Sequence, residues 1–452
     1  MPATRRVAVI GAGPSGLYAT AALLDSDVPV EVDVLDRLPA PFGLVRYGVA
    51  PDHVRMKSVI SVLRKPFVDG SRARFLGNVR VGEGGIELDR LREHYDAVVH
   101  AAGSSVERDL GIEGEELDGS HGSRAFVSWY SGHPDAVALD PRLEHHAAVV
   151  VGAGNVALDV ARVLARCSEE MAQTDVPDPV LEVLRASRIT DVHILIRRGP
   201  EHAKFTGPEL RQIGRLDGVQ VRVHDDGALA AAPSVEDRRV TQNLKLLNGW
   251  EAADDPVDPP ARRIHLHFLR TPLRVEGLED RVSAVVVGRN AVVDGRVVAT
   301  GEEERIEAGL LVRAIGYAGE PVPGLPHDED AGIVPNAAGR VLDGDLPVPG
   351  AYVTGWLKRG PTGVIGTNKG DAAETVACLV EDLDGLPAAS RPDPETVLGA
   401  LRERGIDVVV WEDWEQLDRE EVRLGRARGC DRVKVAELES MLAACQTTAV
   451  RA

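Results

Sequence analysis

The sequence predicts an α/β protein in which two doubly wound units share one chain, the second inserted into the first. Three glycine-rich turns indicate this arrangement, because each follows an apolar strand and opens a helix. The strand–turn–helix stretches cover residues 7–17, 147–160 and 351–383. The last of them supplies a strand of the first unit after the whole of the second unit, so we expect the first unit to be discontinuous.

The first turn has the Gly-x-Gly-x-x-Gly spacing of a dinucleotide-binding motif. Gly11 permits the tight turn, Gly13 lets the backbone approach a pyrophosphate, and Gly16 lets the helix pack on the strand. Pro14 and Ser15 are the first residues of the predicted helix. The N-terminus of this helix offers unpaired N–H groups to the phosphates. An apolar helical stretch over residues 19–24 completes the context that the motif needs.

An acid ends the next predicted strand. Val30–Leu35 reads VEVDVL, and Asp36 follows it 20 residues past Gly16 (36 − 16). An acid at this position binds a ribose hydroxyl. The next loop, residues 41–53, is apolar between its prolines and glycines, whereas connecting loops usually lie in solvent, so we expect it to lie against a ligand. Further along, the pattern predicts helices over 54–65 and 86–92, a strand or hairpin over 74–81, and a buried strand over 95–103.

The second turn repeats the pattern with a different ending. It reads Gly152-Ala153-Gly154-Asn155-Val156, with Ala157 at the third glycine position, and the strand over residues 192–196 ends in Arg197 and Arg198. Guanidinium forks bind phosphate in a bidentate manner. The arginine pair therefore suits the 2′-phosphate of NADP, and Asp36 suits the unmodified ribose of FAD. The sequence predicts two Rossmann-like dinucleotide-binding domains, for FAD first and NADP second.

The rest of the chain completes the two units. We expect helices over 126–130, 180–186 and 202–214, and a meander of strands over 264–269, 271–275, 281–287 and 296–300. Residues 302–304 are expected to form a solvated acidic turn, and 310–317 a buried strand that returns the chain to the first unit. The tail predicts helices over 395–404, 413–428 and 435–445 and a strand over 408–411, packed on the first unit with no chemistry assigned.

Composition excludes several classes of protein. A length of 452 residues predicts two or three domains, and a net charge of −19 argues against a general nucleic-acid binder. The four cysteines have no CxxC spacing, which argues against a redox disulfide, an iron–sulfur cluster or structural zinc. No metal site is expected, and His133, His145 and His146 are interpreted as solvated. No apolar run has the length of a membrane span, and the protein is expected to be cytoplasmic.

Three stretches together resemble a known family. They are the turn GAGPSG, the loop PFGLVRYGVAPDH at 41–53 and the stretch KRGPTGVIGTNK at 358–369. They are similar to the adrenodoxin-reductase-type ferredoxin–NADP⁺ reductases, in particular to the bacterial branch, and the resemblance extends from about residue 7 to about residue 379. It implies an FAD-binding domain of residues 1–103 and 318–452, and an NADP-binding domain of residues 104–317.

The resemblance, together with the turns, assigns residues to the cofactors. The expected FAD contacts are Gly11, Gly13, Pro14, Ser15, Gly16, Asp36, Leu44, Val81, Trp356, Gly363, Val364 and Ile365, where the last three would offer backbone N–H groups. The expected NADP contacts are Arg108, Ala153, Gly154, Asn155, Val156, Arg197, Arg198, Glu209 and Gly363. His53 is the candidate catalytic residue, for proton handling or a hydrogen bond to the flavin; the alternative is a packing histidine. Related enzymes can carry an acid that couples to this histidine where this chain has Gln212, so we expect His53 to have a neutral partner.

The activity implied is hydride transfer between NADPH and FAD, followed by single-electron transfer to an iron–sulfur ferredoxin. Two alternatives stay open among enzymes, an NADPH-dependent flavin monooxygenase and a diaphorase-type reductase. An electron-channelling subunit, like the small subunit of glutamate synthase, would be expected to carry a cysteine-rich cluster domain, which the four scattered cysteines do not form. Both a monomer and a dimer fit the sequence.

An acidic ferredoxin needs a local basic face on this acidic chain. Seven basic residues near the expected cleft mouth are the candidates: Arg46, Arg55, Lys57, Arg64, Lys65, Lys358 and Arg359.

Overall fold

The computed structural model describes residues 4–68, 71–104, 106–232, 236–252 and 260–446. Its strands in chain order are β1 (Arg5–Ile10), β2 (Val30–Leu35), β3 (Ala73–Leu76), β4 (Ala97–His100), β5 (Val106–Glu107), β6 (Ser120–Gly122), β7 (Ala147–Val151), β8 (Asp191–Ile196), β9 (Val219–His224), β10 (Arg262–Phe268), β11 (Arg270–Leu278), β12 (Arg281–Val293), β13 (Arg296–Glu307), β14 (Leu310–Arg313), β15 (Tyr317–Ala318), β16 (Asn336–Ala337), β17 (Arg340–Asp343) and β18 (Leu346–Val353).

The α-helices are α1 (Pro14–Leu24), α2 (Gly43–Tyr47), α3 (Val54–Lys57), α4 (Ile60–Leu63), α5 (Leu88–Arg92), α6 (Ser123–Tyr130), α7 (Asn155–Ala165), α8 (Ser168–Met171), α9 (Asp178–Ala186), α10 (Gly207–Ile213), α11 (Ala228–Ala231), α12 (Arg238–Glu251), α13 (Trp356–Arg359), α14 (Thr367–Asp382), α15 (Pro394–Glu403), α16 (Trp411–Arg428) and α17 (Leu438–Gln446). Short 3₁₀ turns lie at Lys65–Phe67, Pro134–Ala136, Pro200–His202 and Leu383–Gly385. In the described part of the chain, no helix combines the length and the apolar character needed to cross a bilayer.

Two sheets organise the molecule, as the glycine turns predict. The first has the strand order β16-β17-β18-β4-β1-β2-β3, and its strands from β18 to β3 run parallel. The second has the order β6-β14-β7-β8-β10-β9 and is parallel throughout. We call each sheet with its helices a lobe. The first lobe takes strands from both sides of the second in the sequence, so the predicted discontinuous α/β architecture is confirmed.

Each lobe has its own apolar core. In the first lobe, β1, β2 and β4 pack against α1 and α14, and in the second lobe β7, β8 and β10 pack against α7 and α10. The antiparallel sheet β11-β12-β13 covers part of the other face of the second sheet, where Val285 and Val287 meet Val149 and Leu195. Runs of valine, isoleucine and leucine form these strands because both faces of a parallel sheet are buried.

The predicted helix over 54–65 is wrong as one continuous helix. It breaks into α3, α4 and the 3₁₀ turn at Lys65–Phe67. The Ser58 hydroxyl donates to the carbonyl oxygen of Arg55 at 2.7 Å, a local bond that competes with helix continuation. Pro66 then ends the stretch, because proline lacks the N–H group that a further turn would need.

Five expectations about the strands need correction. The predicted strand at 74–81 ends at Leu76. The predicted strand at 408–411 is only an isolated bridge, in which the backbones of Gly77 and Val409 hydrogen-bond to each other. Residues 264–269 belong to β10 of the parallel second sheet, not to the meander. Residues 302–304 are not a turn but part of the exposed strand β13. The strand at 310–317 ends at Arg313 in the second sheet, and β15 leads back to the first lobe.

The tail packs on the first lobe, as predicted. The Trp411 ring stacks on Phe67 with ring centroids 4.5 Å apart, and Trp414 meets Phe42 edge-on at 5.3 Å. Glu421 of α16 is fully buried and accepts hydrogen bonds from both terminal nitrogens of Arg46, one of them at 2.9 Å. The tail therefore holds the loop that follows β2 by aromatic contacts and by a buried ion pair.

Candidate functional site

The turn between β1 and α1 allows only glycine at two positions. Gly11 has a φ of +110°, and a Cβ there would lie 2.6 Å from the carbonyl oxygen of Ala101. A Cβ on Gly16 would collide with the carbonyl oxygen of Gly11. No side chain caps α1, whose N-cap is Gly13 and whose first residue is Pro14. The first N–H groups of the helix are therefore open to a phosphate.

The Asp36 carboxylate closes on the same turn. Its Oδ2 accepts the Ala12 N–H at 2.8 Å, and its Oδ1 accepts the Leu38 N–H at 2.9 Å. Burial raises the pKa of Asp36, against the lowering effect of these two hydrogen bonds. Each carboxylate oxygen can accept a further bond. Asp36 therefore lies directly after β2, where the sequence predicts the ribose, and its oxygens can accept further hydrogen bonds from a ligand.

The loop after β2 lies against the first turn. The Phe42 N–H donates to the carbonyl oxygen of Ala12 at 2.8 Å. Gly43 comes so close that a Cβ on it would lie 2.9 Å from the Cα of Gly13. The next side chain, Leu44, is 44% exposed although it is apolar. An exposed leucine beside an open glycine turn suits contact with a planar apolar ring.

The third glycine turn is joined to the first. The Ser15 hydroxyl donates to the side-chain oxygen of Asn368 at 2.9 Å, which ties the start of α1 to the start of α14. The Val364 N–H donates to the Thr367 hydroxyl at 3.1 Å, so this expected flavin donor is engaged within the turn. The N–H groups of Gly363 and Ile365 have no acceptor among the described residues. The Val364 side chain is 65% exposed, so apolar surface also borders this turn.

Two aromatic rings lie where the lobes meet. Trp356 begins α13 and stacks on Tyr317 with ring centroids 6.1 Å apart and planes 20° apart. The Tyr317 hydroxyl lies 3.1 Å from the Ser123 hydroxyl of the second lobe. Val81 is half-buried beyond the end of β3, where it bridges to Ile86. Trp356 and Val81 thus follow the carboxyl ends of β18 and β3, the edge at which open α/β sheets bind ligands.

The second turn, between β7 and α7, is open on its outer side. A Cβ on Gly152 would collide with the carbonyl oxygen of Ala314, whereas a Cβ on Gly154 would meet nothing within 4 Å. The side-chain oxygen of Asn155 accepts the Thr206 N–H at 2.8 Å and so fixes the start of α7 against the segment before α10. Ala153 and Val156 flank these residues and are half-buried. The turn leaves room beside Gly154 for a ligand's phosphates.

The three arginines expected to contact NADP have free guanidinium groups among the described residues. Arg197 and Arg198 follow β8, and Arg108 follows β5; all three are exposed. Across the described ranges, none of their guanidinium groups has a hydrogen bond or an ion pair, although most arginines of this chain do. Unpaired guanidinium groups at the carboxyl end of a parallel strand suit a phosphate ligand.

Glu209 is buried with an unsatisfied oxygen. It lies on α10, is 5% exposed, and its Oε2 has no hydrogen-bond partner in the part of the chain that the structure describes. A buried polar atom without a partner is costly. The orphaned oxygen suits a contact with a bound ligand, at the residue that the resemblance assigns to NADP.

His53 connects the two lobes through an acid. Its Nε2 lies 3.1 Å from Oδ1 of Asp159 on α7, and the same oxygen accepts a bond from Arg162 at 2.9 Å. The expectation of a neutral partner for His53 is therefore wrong: the partner is Asp159, and Gln212 makes no bond to His53. The acid beside His53 therefore comes from α7, whereas the resemblance directs attention to Gln212 on α10.

Arg162 extends this connection into a buried network. It is fully buried, and its Nε and Nη2 donate to the two oxygens of Asp52 at 2.7 and 2.9 Å. Although burial alone would raise the pKa of Asp52, the bonds and charge of Arg162 hold that pKa below its usual value. Asp52, Asp159 and Arg162 were not among the residues predicted for the site. The available signal was the spacing of Asp159 and Arg162 by three residues in an otherwise apolar helix.

Most of the basic residues predicted to form a docking face make ion pairs within the protein. Arg46 pairs with Glu421, Lys57 with Asp175, Arg64 with Glu415, and Lys358 and Arg359 with Asp371. Only Arg55 and Lys65, of the seven candidates, are exposed and form no ion pair with the described residues. Val54, Met56 and Val62 beside them are exposed apolar side chains. Any basic face here is therefore smaller and more apolar than the sequence suggests.

Comparison with known protein families and solved structures agrees with this geometry. The family model of pyridine nucleotide-disulphide oxidoreductases matches residues 5–225. The NADPH-ferredoxin reductase FprA of Mycobacterium tuberculosis is 42% identical over 96% of this chain and 98% of its own. The mitochondrial NADPH:adrenodoxin oxidoreductase of Homo sapiens is 39% identical over 97% of this chain and 91% of its own.

A solved structure of a relative has the same fold. The structure of Mycobacterium tuberculosis FprA in complex with NADPH superposes with a TM-score of 0.89 at 40% identity, covering 98% of this chain and 100% of that one. A second structure of that protein, which revealed a covalent modification of NADP⁺, has a TM-score of 0.90 at 41% identity and covers 98% and 99% of the two chains.

Proposed function

The chain belongs to the adrenodoxin-reductase-type family of ferredoxin–NADP⁺ reductases, and from that premise we propose that it passes electrons from NADPH through FAD to an iron–sulfur ferredoxin. One observation carries the proposal. Two glycine turns with unlike strand ends, Asp36 in one and Arg197 with Arg198 in the other, belong to lobes that His53 and Asp159 join directly. Two unlike nucleotide sites on joined lobes suit transfer between two cofactors.

The first lobe fits FAD. The open N-terminus of α1, the close approach of Gly43 to Gly13 and the free N–H groups of Gly363 and Ile365 would hold the pyrophosphate and the ring. Exposed Leu44 and Val364 would shield the ring from water. These contacts support assigning residues 1–103 and 318–452 to the FAD-binding domain.

The second lobe fits NADP. Gly154 leaves room for the pyrophosphate, Arg197 and Arg198 would hold the 2′-phosphate, and the orphaned oxygen of Glu209 would accept a hydrogen bond from the nucleotide. Arg108 is a further unpaired cation on the segment between the lobes. These residues support assigning 104–317 to the NADP-binding domain.

The chain's own residues bind and orient, while the redox chemistry belongs to the cofactors. When bound, NADPH supplies a hydride and FAD accepts it and releases electrons singly. Because its Nε2 lies against Asp159, His53 would act through its other ring nitrogen, Nδ1, by handling a proton or by hydrogen bonding at the flavin side. Asp159 orients the His53 ring, and Arg162 holds Asp159 in place through a bond of 2.9 Å.

The partner and the location extend the proposal. An acidic iron–sulfur ferredoxin would be the electron acceptor, and the exposed pair Arg55 and Lys65 is the part of the predicted basic face that stays available to it. The sequence predicts a cytoplasmic location, and it fits both a monomer and a dimer.

The experiment is reconstitution of electron transfer with the purified holoprotein. NADPH, the protein and a bacterial iron–sulfur ferredoxin are mixed anaerobically, and ferredoxin reduction is followed by its absorbance or by a coupled one-electron acceptor. We expect ferredoxin reduction to depend on both NADPH and the protein. In air, the amount of NADPH consumed is compared with the amount of oxygenated product formed.

A diaphorase would reduce artificial acceptors but not ferredoxin, and a monooxygenase would consume NADPH in proportion to an oxygenated product. Either outcome, with FAD bound, would contradict the proposal.

A further inference from the structure

Four histidines lie together on the second sheet. We call them the histidine cluster: His193 on β8, His224 on β9, and His265 and His267 on β10. The strand register places His265 beside His193 and His267 beside His224. The three strands are far apart in the sequence, and only their parallel pairing brings the four histidines together.

The cluster lies on the sheet face opposite α7. Side chains alternate between the two faces of a strand, and the neighbours Ile194, Ile264 and Leu266 point into the core that contains α7. The histidines therefore face away from the helix that carries the second glycine turn. None of them is among the residues expected to contact FAD or NADP.

The imidazole rings form two bonded pairs that stack on each other. His193 Nδ1 lies 2.9 Å from His267 Nε2, and His224 Nε2 lies 3.0 Å from His265 Nδ1. The His193 ring stacks on His265 at 4.5 Å, and the His224 ring stacks on His267 at 4.4 Å. Parallel strands usually carry aliphatic side chains at buried positions, so four stacked imidazoles call for another explanation.

The rings are neutral and keep lone pairs at neutral pH. Burial lowers the pKa of each of the four histidines, and it lowers the pKa of His193 to about 3. Neutral imidazole is the form that binds a metal ion. In each bonded pair one nitrogen carries the shared proton and the other offers its lone pair, so a bound cation would replace these ring–ring hydrogen bonds.

An acid orients one ring in the manner of a metal site. Oδ1 of Asp191 accepts a bond from Nε2 of His265 at 2.9 Å, and Arg263 holds both Asp191 oxygens at 2.6 and 3.0 Å. Metal-ligating histidines commonly donate their second N–H group to such a carboxylate, which fixes the tautomer. Asp191 thus leaves the lone pair of His265 on Nδ1, where it accepts a hydrogen bond from Nε2 of His224 that a metal ion would replace.

We propose that His193, His265 and His267 bind a divalent transition-metal cation of the zinc class. One ring nitrogen of each residue lies within 4.8 Å of the others. Nitrogens on one tetrahedral zinc lie about 3.3 Å apart, given Zn–N bonds of about 2.0–2.1 Å, so the three rings would have to move closer together around a bound ion. An all-imidazole set favours zinc, copper or nickel over magnesium or calcium. A bound cation would cross-link β8 and β10 within the second lobe.

The test is zinc binding by the untagged holoprotein. Zn²⁺ is titrated in competition with a chromophoric chelator, into the wild type, a His193→Gln/His267→Gln variant and a His327→Gln control outside the cluster. We expect one tight zinc per wild-type chain, the same in the control, and an affinity at least about 10-fold weaker in the cluster variant. No wild-type binding, or equal binding by the cluster variant, would overturn the proposal.

A spectroscopic measurement on the wild type does not depend on how the variant folds. X-ray absorption at the zinc edge of the one-zinc protein should show at least three imidazole nitrogens at about 2.0–2.1 Å. One imidazole or none would place the zinc elsewhere and overturn the proposal. FAD content and circular dichroism of each variant identify any variant that has lost its fold. Neither readout requires NADPH oxidation, so the result is independent of the proposed function.

Discussion

The Nε2 atom of His53 lies 3.1 Å from a carboxylate oxygen of Asp159, which joins the loop beyond β2 of the first lobe to helix α7 of the second. The bond is continued by Arg162 to Asp52, which is adjacent to His53 in the chain. The histidine proposed to serve the flavin is thus positioned by the helix that opens the nucleotide turn of the other lobe.

Replacing His53 should slow flavin reduction without removing the cofactor. His53→Gln keeps a polar side chain but loses the ring that Asp159 orients. If the ring moves a proton, we expect the rate constant for flavin reduction by NADPH to fall by about 10²-fold, with FAD content unchanged. Stopped-flow absorbance measures that rate.

Asp159→Asn should lower the same rate by less, because the His53 ring remains. The matched control is Asp178→Asn, an exposed acid on α9 of the same lobe. Wild-type rates in the His53 variant would assign His53 to packing alone.

The Asp52–Arg162 pair should make the free energy of unfolding depend on pH. The pKa of Asp52 lies below its unfolded value of about 3.9. Its contribution to the free energy of unfolding is therefore present above pH 4 and is lost as the pH falls through the folded-state pKa. Asp52→Asn should lower that free energy at pH 7 by about 1.5–3 kcal/mol, because buried Arg162 loses one of its two charged partners and keeps Asp159.

Urea unfolding of the wild type and of Asp52→Asn between pH 3 and 7 measures this difference. The two stabilities should converge toward the acid end. Asp140→Asn, at an exposed acid of the second lobe, is the control and should change little. A difference that stays constant with pH would show that Asp52 acts through shape and not through charge.

The buried Glu421 should anchor the tail. Glu421→Gln removes the charge that faces Arg46 and Arg432, and we expect a loss of about 3–5 kcal/mol in the free energy of unfolding. Its neighbour Glu420 forms an exposed pair with Arg423, so Glu420→Gln should cost at most about 1 kcal/mol. Equal costs in the two variants would contradict a structural role for the buried pair.

The exposed pair Arg55 and Lys65 should govern encounter with an acidic ferredoxin. Arg55→Glu/Lys65→Glu should lower the association rate by about 10-fold at low salt, and the difference should shrink as salt is added. The control is Arg281→Glu/Arg296→Glu on the antiparallel sheet of the second lobe. Unchanged ferredoxin kinetics and salt dependence would place the docking face elsewhere.

Local sequence pattern predicts the fold and much of the candidate site. Strand–turn–helix stretches place Gly11, Asp36, Gly154 and Arg197 at strand ends, because the pattern itself encodes their local geometry. Helix breaks were harder to predict: Ser58 and Pro66 divide the stretch after His53 through one side-chain bond and one missing N–H group.

Partners distant in sequence escaped prediction for a different reason. Asp159 reaches His53 across 106 residues, and Glu421 reaches Arg46 across 375. No local pattern encodes such contacts. The histidine cluster is a further case, because His193 and His267 meet only through strand pairing. The ion pairs that occupy most of the basic residues predicted for docking escaped prediction for the same reason, because their acidic partners come from other elements.

The central claim is that this chain holds FAD and NADPH in two unlike pockets, and an anaerobic titration of flavin absorbance tests it most directly. The yellow wild-type protein should be bleached by NADPH and poorly by NADH. Arg197→Ala/Arg198→Ala should lose about 2–4 kcal/mol of this preference, since each charge-assisted bond contributes roughly 1.5–3 kcal/mol, while Arg296→Ala keeps it. A colourless protein, or equal bleaching by both nucleotides in the wild type, would contradict the account.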